Sequence, residues 1–251
     1  MVSIWIPSRL RTDDAIGLGE VPFHDVTVVA GDVSDRPDKV IAKLAALQGL
    51  TGKPILFVPG NRDLCGARLR TGQFPHVPAE VIVLEAGNSA FFEGVRFIGA
   101  TLWTDFELTS TEYASQKWAI AAMPEYFSVR HSCEDRLIRP IDTANEHMWD
   151  KAKVTRAVSH PHQGATVIVT HHAPSIRSLP KDVQHEVSCA ALASNLEHFI
   201  ARYQPALWIH APLYADSDYR IGSTRVVSSA GACGREINPD VPPEELVISV
   251  S

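Results

Sequence analysis

Polar side chains follow three apolar runs of the sequence, at the points where these runs end. They are Asp32 after VVAG, Asn61, Arg62 and Asp63 after FVPG, and His171 and His172 after VIVT. Carboxylate, amide and imidazole groups can together bind a divalent cation or move a proton. Because the chemistry of open α/β sheets collects beyond the carboxyl ends of strands, we expect these side chains to lie close together.

Arginines accompany these candidate ligands. Arg9 and Arg11 follow the first apolar run, VSIWI, and Arg62 stands beside Asn61. A guanidinium stays protonated and has no lone pair, so it cannot bind a metal ion. Its planar fork does match the oxygens of a carboxylate or a phosphate. The sequence therefore places fixed positive charge among groups that suit a cation site.

Alternating strand and helix patterns predict the elements that position these residues. Apolar runs bounded by Gly, Pro or Asp predict strands buried on both faces at 2–6, 25–31, 54–60, 80–86, 95–103, 165–171, 206–211, 224–230 and 246–250. Apolar residues at helical spacing predict helices over 37–49, 144–158 and 188–203. The aromatic-rich segment 104–142 is predicted to be a cap-like insertion with one or two helices. With no low-complexity linker, we expect a single domain over 1–251.

Composition narrows the class of protein. The net charge of −6 argues against broad binding to nucleic acids or to anionic membranes. The four cysteines are scattered, form no metal or redox motif and indicate reduced thiols. Because the sequence has no long apolar run and no signal-peptide pattern, it favours a soluble, cytoplasmic protein.

The order of the segments resembles a bacterial branch of the calcineurin-like metallophosphoesterase family over almost the whole chain. VVAGDVSD is similar to the family's GD motif, FVPGNRD to its GN-His-Asp/Glu motif, and VIVTHHAPS to its Thr-His-His-Ala-Pro motif. GVRFIGATLWTDF and DYRIGSTRVV resemble the flanking framework of that branch. The resemblance implies a four-layer α/β sandwich, with two mixed β-sheets face to face and helices outside. It also implies two metal ions that activate a water and clamp a phosphate ester.

Position by position, the resemblance implies only part of the family's metal-ligand set. Asp32 matches the aspartate that bridges both metals. Asn61 and His171 match ligands of the second metal, and His172 is the usual neighbour of that histidine. Arg62 stands where the family has the histidine that assists the phosphate and its leaving group.

Other ligand positions are lost. Arg9 and Arg11 stand where the family's Asp-x-His motif supplies ligands of the first metal. In WIHAPLYADSDYR, Pro212 and Tyr214 replace the two histidines of its Gly-His-x-His motif. Asp32 is then the one matched ligand left at the first site, so the resemblance implies that dinuclear hydrolysis is lost.

We interpret the arginines as electrostatic replacements for the lost metals. Arg9 or Arg11 is expected to pair with Asp32, because a buried carboxylate without a partner is costly. Together with Arg62 they would disfavour a divalent cation and favour phosphate. Simpler interpretations stay open: solvated loop charges for Arg9 and Arg11, helix initiation for Asp32, a turn for Asn61, and hydrogen-bonded structural histidines for His171 and His172.

The sequence thus favours a non-catalytic member of the fold, without a cofactor, that binds a phosphate-containing small molecule or a protein partner. One alternative is a weakly active phosphoesterase for phosphomonoesters or phosphodiesters, holding one Zn²⁺, Mn²⁺ or Fe ion on Asp32, Asn61 and His171. A further alternative is a structural or regulatory subunit with an empty cleft.

Overall fold

Eleven strands of the described chain form two β-sheets. The computed structural model describes residues 1–7, 10, 21–70, 74, 76–213, 216–229 and 246–251. The strands are β1 (Val2–Ile6), β2 (Val26–Val29), β3 (Ile55–Phe57), β4 (Val81–Val83), β5 (Asn88–Phe92), β6 (Val95–Ala100), β7 (Thr166–Thr170), β8 (Leu207–His210), β9 (Ser217–Ile221), β10 (Thr224–Ser228) and β11 (Leu246–Val250). Three residues named above, Arg9, Arg11 and Tyr214, lie outside the described residues, as does Cys233.

Both sheets are mixed. The first has the order β11-β1-β2-β3-β4, in which β1 to β4 are parallel and β11 is antiparallel to β1. The second has the order β5-β6-β7-β8-β10-β9, in which β6, β7, β8 and β10 are parallel and the two edge strands are antiparallel to their neighbours. The inner parallel strands, such as β2, β3 and β7, are buried on both faces, which explains their nearly continuous apolar runs.

Helices connect the strands and cover the outer faces of the sheets. They are α1 (Pro37–Thr51), α2 (Glu112–Ala122), α3 (Glu125–Ser128), α4 (Pro140–Ser159), α5 (Cys189–Leu192) and α6 (Glu197–Tyr203). Short 3₁₀ turns lie at Arg62–Leu64, Ile176–Ser178 and Val183–His185. No helix in the described ranges is long and apolar enough to cross a membrane.

The two sheets and the helices on their outer faces form four layers. Side chains such as Ile4 of β1 and Phe97 of β6 form one apolar core between the sheets. Trp5 points the other way and packs with Leu44 of α1 on the outside of the first sheet. Trp208 of β8 packs with residues of α4 and α6 on the outside of the second sheet. The predicted sandwich of two mixed sheets flanked by helices is confirmed.

Two details of the element prediction are wrong. The helix predicted over 188–203 is broken into α5 and α6, because Ser194 and Leu196 donate backbone hydrogen bonds to the carbonyls of Ala173 and Pro174 instead of continuing a helix. Strands β5 and β9 were not predicted from the sequence. They are partly exposed edge strands and lack a continuous apolar run. The segment 104–142 contains α2 and α3, in agreement with the helices expected there.

Candidate functional site

The ends of three parallel strands bring together Asp32, Asn61 and His171. Asp32 follows β2, Asn61 follows β3, and His171 follows β7 of the other sheet. The Nε2 atom of His171 lies 2.7 Å from Oδ1 of Asn61 and 3.6 Å from Oδ1 of Asp32. His171 and Asn61 are buried, and Asp32 is partly exposed. A carboxylate, an amide and an imidazole therefore meet at one edge of the sandwich, beyond the ends of these strands.

The ring of His171 is held in one orientation by the backbone. Its Nδ1 lies 2.8 Å from the carbonyl oxygen of Ala30. A carbonyl oxygen can only accept, so Nδ1 carries a proton and the neutral ring has its lone pair on Nε2. That lone pair faces the oxygens of Asn61 and Asp32. Two acceptor atoms this close repel each other unless a proton or a cation lies between them or the amide turns its N–H group to the ring. A histidine fixed in this way is typical of a metal ligand.

Two glycines make the close approach of these loops possible. Gly31 has φ +95°, and a Cβ atom there would lie 2.5 Å from Nδ1 of His171. At Gly60, a Cβ atom would lie 2.6 Å from Oδ1 of Asp32 and 2.7 Å from Cε1 of His171. Both positions leave no room for a side chain, because real Cβ contacts do not fall below about 3 Å. The glycines before Asp32 and Asn61 are therefore part of the site's construction.

Asp63 ties the first two loops together. Its Oδ1 accepts the N–H groups of Val33 and Ser34, at 2.7 and 3.0 Å, and its Oδ2 accepts those of Asp32 and Gly60, at 2.8 and 2.9 Å. Burial, and then the charge of Asp32, raise the pKa of Asp63 to about 7, against the opposing effect of these backbone donors. The sequence predicted no role for Asp63, although the family motif resembled by FVPGNRD ends in a carboxylate.

The guanidinium of Arg62 pairs more closely with Asp35 than with Asp32. Its Nη1 donates to both carboxylate oxygens of Asp35, at 3.0 and 2.9 Å. Its Nε lies 3.9 Å from Oδ2 of Asp32, an ion-pair distance beyond hydrogen bonding. The closer contact with Asp32 is made by the backbone N–H of Arg62, 3.4 Å from Oδ1. The arginines expected to pair with Asp32, Arg9 and Arg11, lie outside the described residues.

The neighbouring histidine has a packing role. His172 is buried, lies edge-on to His171 with ring centroids 4.9 Å apart, and packs against Trp103. Its Nδ1 lies 3.4 Å from the carbonyl oxygen of Thr101. Burial, followed by the charge of His171, holds the pKa of His172 well below its usual range. His172 is therefore a neutral ring that supports the strand end.

The segment after β8 also borders His171. The N–H of Ala211 donates to the carbonyl oxygen of His171 at 3.1 Å, and the half-buried Pro212 follows. A proline side chain offers no lone pair to a metal ion. The described part of this segment thus supports the backbone of His171 and adds no ligand.

Sequence reasoning missed Glu125, which lies on α3 in the segment 104–142. The side chain is fully buried, and neither carboxylate oxygen has a hydrogen-bond partner of ordinary geometry within the described ranges. Burial raises the pKa of Glu125 to about 7. The sequence feature that could have indicated Glu125 is its place as a lone carboxylate in the apolar run AAMPEYF.

Comparison with known proteins identifies the fold. No family model matches the chain, and no curated protein matches it. The crystal structure of phosphopantetheinyl hydrolase (PptH) from Mycobacterium tuberculosis is similar, with a TM-score of 0.61, 16% identity, and 90% of this chain and 88% of that chain covered. The chain has the metallophosphoesterase fold.

A second solved structure is similar over part of its length. It is a putative 5'-nucleotidase from Staphylococcus aureus in complex with alpha-ketoglutarate, with a TM-score of 0.42 and 12% identity. The alignment covers 90% of this chain and 48% of that one, so the chain spans about half the length of the nucleotidase.

The donor set at the strand ends of this metallophosphoesterase fold suits one divalent cation. Within the part of the chain that the structure describes, no group of three or more His, Cys, Asp or Glu side chains is arranged to hold a metal ion. The set of Asp32, His171 and the amide oxygen of Asn61 contains two such side chains and one oxygen of another type. Imidazole with oxygen ligands suits Zn²⁺, Mn²⁺ and Fe²⁺.

Proposed function

We propose that the protein binds a phosphoester in this cleft through one divalent cation held by Asp32, Asn61 and His171, and that it has lost dinuclear hydrolysis. The observation that carries the proposal is the convergence of Nε2 of His171 on Oδ1 of Asn61 and Oδ1 of Asp32, at 2.7 and 3.6 Å. Three ligands with an open position are sufficient for a cation that also binds a ligand oxygen.

The charge balance around the described residues supports a cation. The sequence favours a site without a cofactor, because three arginines are expected to crowd it. Arg62 instead pairs with Asp35. Because Asp35 offsets the charge of this guanidinium, Arg62 repels a divalent cation less than an unpaired arginine would.

Loss of the second cation is supported by the sequence. Pro212 stands at a histidine position of the family, and Arg62 replaces the histidine that assists the leaving group. In the remaining arrangement, the cation would supply a Lewis acid for one phosphate oxygen. Asp32, Asn61 and His171 would hold and orient it, and the partly exposed Arg62 lies at the edge, where its free N–H groups can donate to another phosphate oxygen.

Slow hydrolysis of the same phosphoester is the second candidate. The observation that favours it is the position of Arg62, held by Asp35 within 3.9 Å of Asp32, where a guanidinium can stabilise charge that develops on a phosphoryl group. The similar structure from Mycobacterium tuberculosis is that of a phosphopantetheinyl hydrolase, so a phosphopantetheine compound belongs among the ligands to be tested.

Calorimetric titration of chelator-treated protein with Mn²⁺ and Zn²⁺ tests the cation site. We expect one equivalent to bind, His171→Ala to abolish binding, and the exposed-histidine control His198→Ala to leave it intact. No binding, or two equivalents, would contradict the proposal.

The ligand is tested with the cation-loaded protein. Inorganic phosphate and phosphopantetheine should raise the thermal midpoint in the presence of the cation and not in its absence, because a ligand that binds the native state stabilises it. Turnover of an aryl phosphodiester that is lost in His171→Ala would establish the second candidate. Cation binding without any effect of phosphate would favour a structural or regulatory subunit.

A further inference from the structure

A cavity of about 550 Å³ lies among α4, the loop that follows β4 and the segment that follows β6. Apolar side chains line much of it: Leu64, Leu69, Phe74, Val77 and Val83. None of the three convergent residues of the candidate cation site lines this cavity. Sites for small organic molecules commonly have volumes of roughly 300–1,000 Å³, so the cavity has the size of a ligand site.

Acidic side chains also line the cavity. Glu146 and Asp150 lie four residues apart on α4 and therefore share one face of the helix, and Glu85 belongs to the loop after β4. The Nε atom of Arg70 donates to Oε2 of Glu146 at 2.6 Å. The guanidinium of Arg70 also lies over the ring of Trp149, 5.3 Å from the ring centroid. The cavity thus already holds one organic cation against a carboxylate and an aromatic ring.

The other two carboxylates have no such partner. Asp150 is only 7% exposed, and one of its oxygens accepts the N–H of Leu102 at 2.8 Å. Among the described residues, its second oxygen has no hydrogen-bond partner, and Lys153 forms no ion pair with Asp150 or with Glu85. Burial raises the pKa of both carboxylates, to about 7 for Asp150. Because buried carboxylates without a partner are costly, these two suit a cationic ligand.

The backbone around the cavity is held in unusual conformations. Arg70 and Ala86, which line the cavity, have φ +59° and +48°, and Leu102 of the adjoining segment has φ +49°. Residues other than glycine rarely adopt this region, and such strain collects at functional sites. At Gly87, a Cβ atom would lie 2.6 Å from the carbonyl carbon of Lys153, so the loop after β4 packs closely against α4. The acidic side chains therefore have a rigid backbone beneath them.

We propose that this cavity binds an organic cation that carries a flat ring, with its ammonium group at Asp150 and Glu85. The ring would pack against the apolar side chains, and the ammonium would supply the cation that the two carboxylates lack. The described lining carries three carboxylates and two cationic side chains, Arg70 and Lys153, so it repels a phosphate. The site is therefore independent of the cation and the phosphoester of the proposed function.

A pair of indole compounds tests the charge preference of the cavity. Tryptamine, which joins an ammonium group to an indole ring, is the probe. Indole-3-acetate, which joins a carboxylate to the same ring, is its matched control. Both are titrated calorimetrically into chelator-treated protein, so that no metal ion takes part. We expect one equivalent of tryptamine to bind, at least about tenfold more tightly than indole-3-acetate, because the carboxylates attract the first and repel the second.

Two variants test the position of the ammonium group. Glu85→Gln and Asp150→Asn each remove one negative charge at nearly constant size, and each should weaken tryptamine binding by about tenfold. Glu85 is half-buried on a loop, so its variant keeps the test decisive if Asp150→Asn unfolds. Asp218→Asn, at an exposed carboxylate paired with Arg225, is the control and should leave the affinity unchanged.

One further variant separates this cavity from the candidate cation site. His171→Ala should leave tryptamine binding intact, and weaker binding would place the ammonium at the cation site and overturn the inference. Equal affinities for the two indole compounds, no binding of tryptamine, or unchanged affinity in both carboxylate variants would also overturn it. If tryptamine binds as expected and Mn²⁺ does not bind, the proposed function fails and this inference stands.

Discussion

The Nε2 atom of His171 faces the Oδ1 atom of Asn61 at 2.7 Å, while the other ring nitrogen donates to the carbonyl of Ala30. Two loops from different sheets are thus aligned through atoms that are both acceptors when the ring is neutral. A proton or a cation between them removes the repulsion. The proposed cation site follows from this relationship together with the nearby carboxylate of Asp32.

The glycines beneath the site give a sharp steric prediction. Gly60→Ala places a Cβ atom against Asp32 and His171, so we expect it to reduce Mn²⁺ affinity at least tenfold and to destabilise the fold by about 1–3 kcal/mol. The matched control is Gly49→Ala on α1, where a Cβ atom meets nothing within 4 Å. That change should stabilise the protein by about 0.5–1 kcal/mol, because alanine is the better helix former. Equal behaviour of the two variants in urea unfolding and in calorimetry would contradict the packing described.

Asp63→Asn tests the connection between the loops. Each carboxylate oxygen accepts two backbone N–H groups, so replacing either oxygen by an amide nitrogen leaves two buried donors without an acceptor. We expect a loss of about 2–4 kcal/mol in the free energy of unfolding, measured with urea. Asp218→Asn removes an exposed carboxylate paired with Arg225 and should cost less than about 1 kcal/mol. A loss below 1 kcal/mol for Asp63→Asn would show that the carboxylate does not hold the loops.

The pairing of Arg62 with Asp35 should control cation affinity. Asp35→Asn releases the guanidinium, which can then close on Asp32 and weaken Mn²⁺ binding, whereas Arg62→Gln should strengthen it. We expect changes of about tenfold for one partly exposed charge at this distance. Arg36→Gln, at an exposed arginine paired with Asp38, is the control and should have no effect on calorimetric affinity. Weaker binding in Arg62→Gln would mean that the arginine supports the cation.

Protonation of the buried Asp150 is expected to make the free energy of unfolding depend on pH. Burial raises its pKa from 3.8 to about 7, although its carboxylate accepts the N–H of Leu102 at 2.8 Å. The folded protein then holds this proton more tightly than the unfolded chain. The group's contribution to stability is therefore complete below about pH 4 and is lost as the pH rises towards 7.

Asp150→Asn removes that titration and leaves the rest of the chain unchanged. The free energy of unfolding of the wild type, minus that of the variant, should fall between about pH 4 and pH 7, with a slope of at most about 1.4 kcal/mol per pH unit. Parallel urea series at several pH values measure the difference directly. A difference that stays constant or rises with pH would show that Asp150 is ionised throughout.

The inner parallel strands were predictable because both of their faces are buried. VTVV and TVIVT, for example, are apolar along their length and lie between a helix layer and the other sheet. The edge strand SDYRI alternates exposed and buried residues and was not predicted, whereas the edge strand LVISV, within the predicted range 246–250, was. The break between α5 and α6 depends on hydrogen bonds to Ala173 and Pro174, which no local pattern in 188–203 contains.

The convergence of three candidate residues was predictable because each of them follows a strand. Asp32, Asn61 and His171 do so, and they lie together. The partner of Arg62 was not predictable, because Asp35 is an exposed residue of a different loop with no pattern of its own. Glu125 lies in a segment with weak periodicity, and the sequence of α3 does not indicate that this carboxylate is buried.

Anomalous diffraction from crystals grown with Mn²⁺ tests the central claim most directly. The account predicts a single manganese peak, about 2.0–2.2 Å from a carboxylate oxygen of Asp32, from Oδ1 of Asn61 and from Nε2 of His171. A pair of peaks in the cleft, or none with His171 still directed at Asn61, would contradict it.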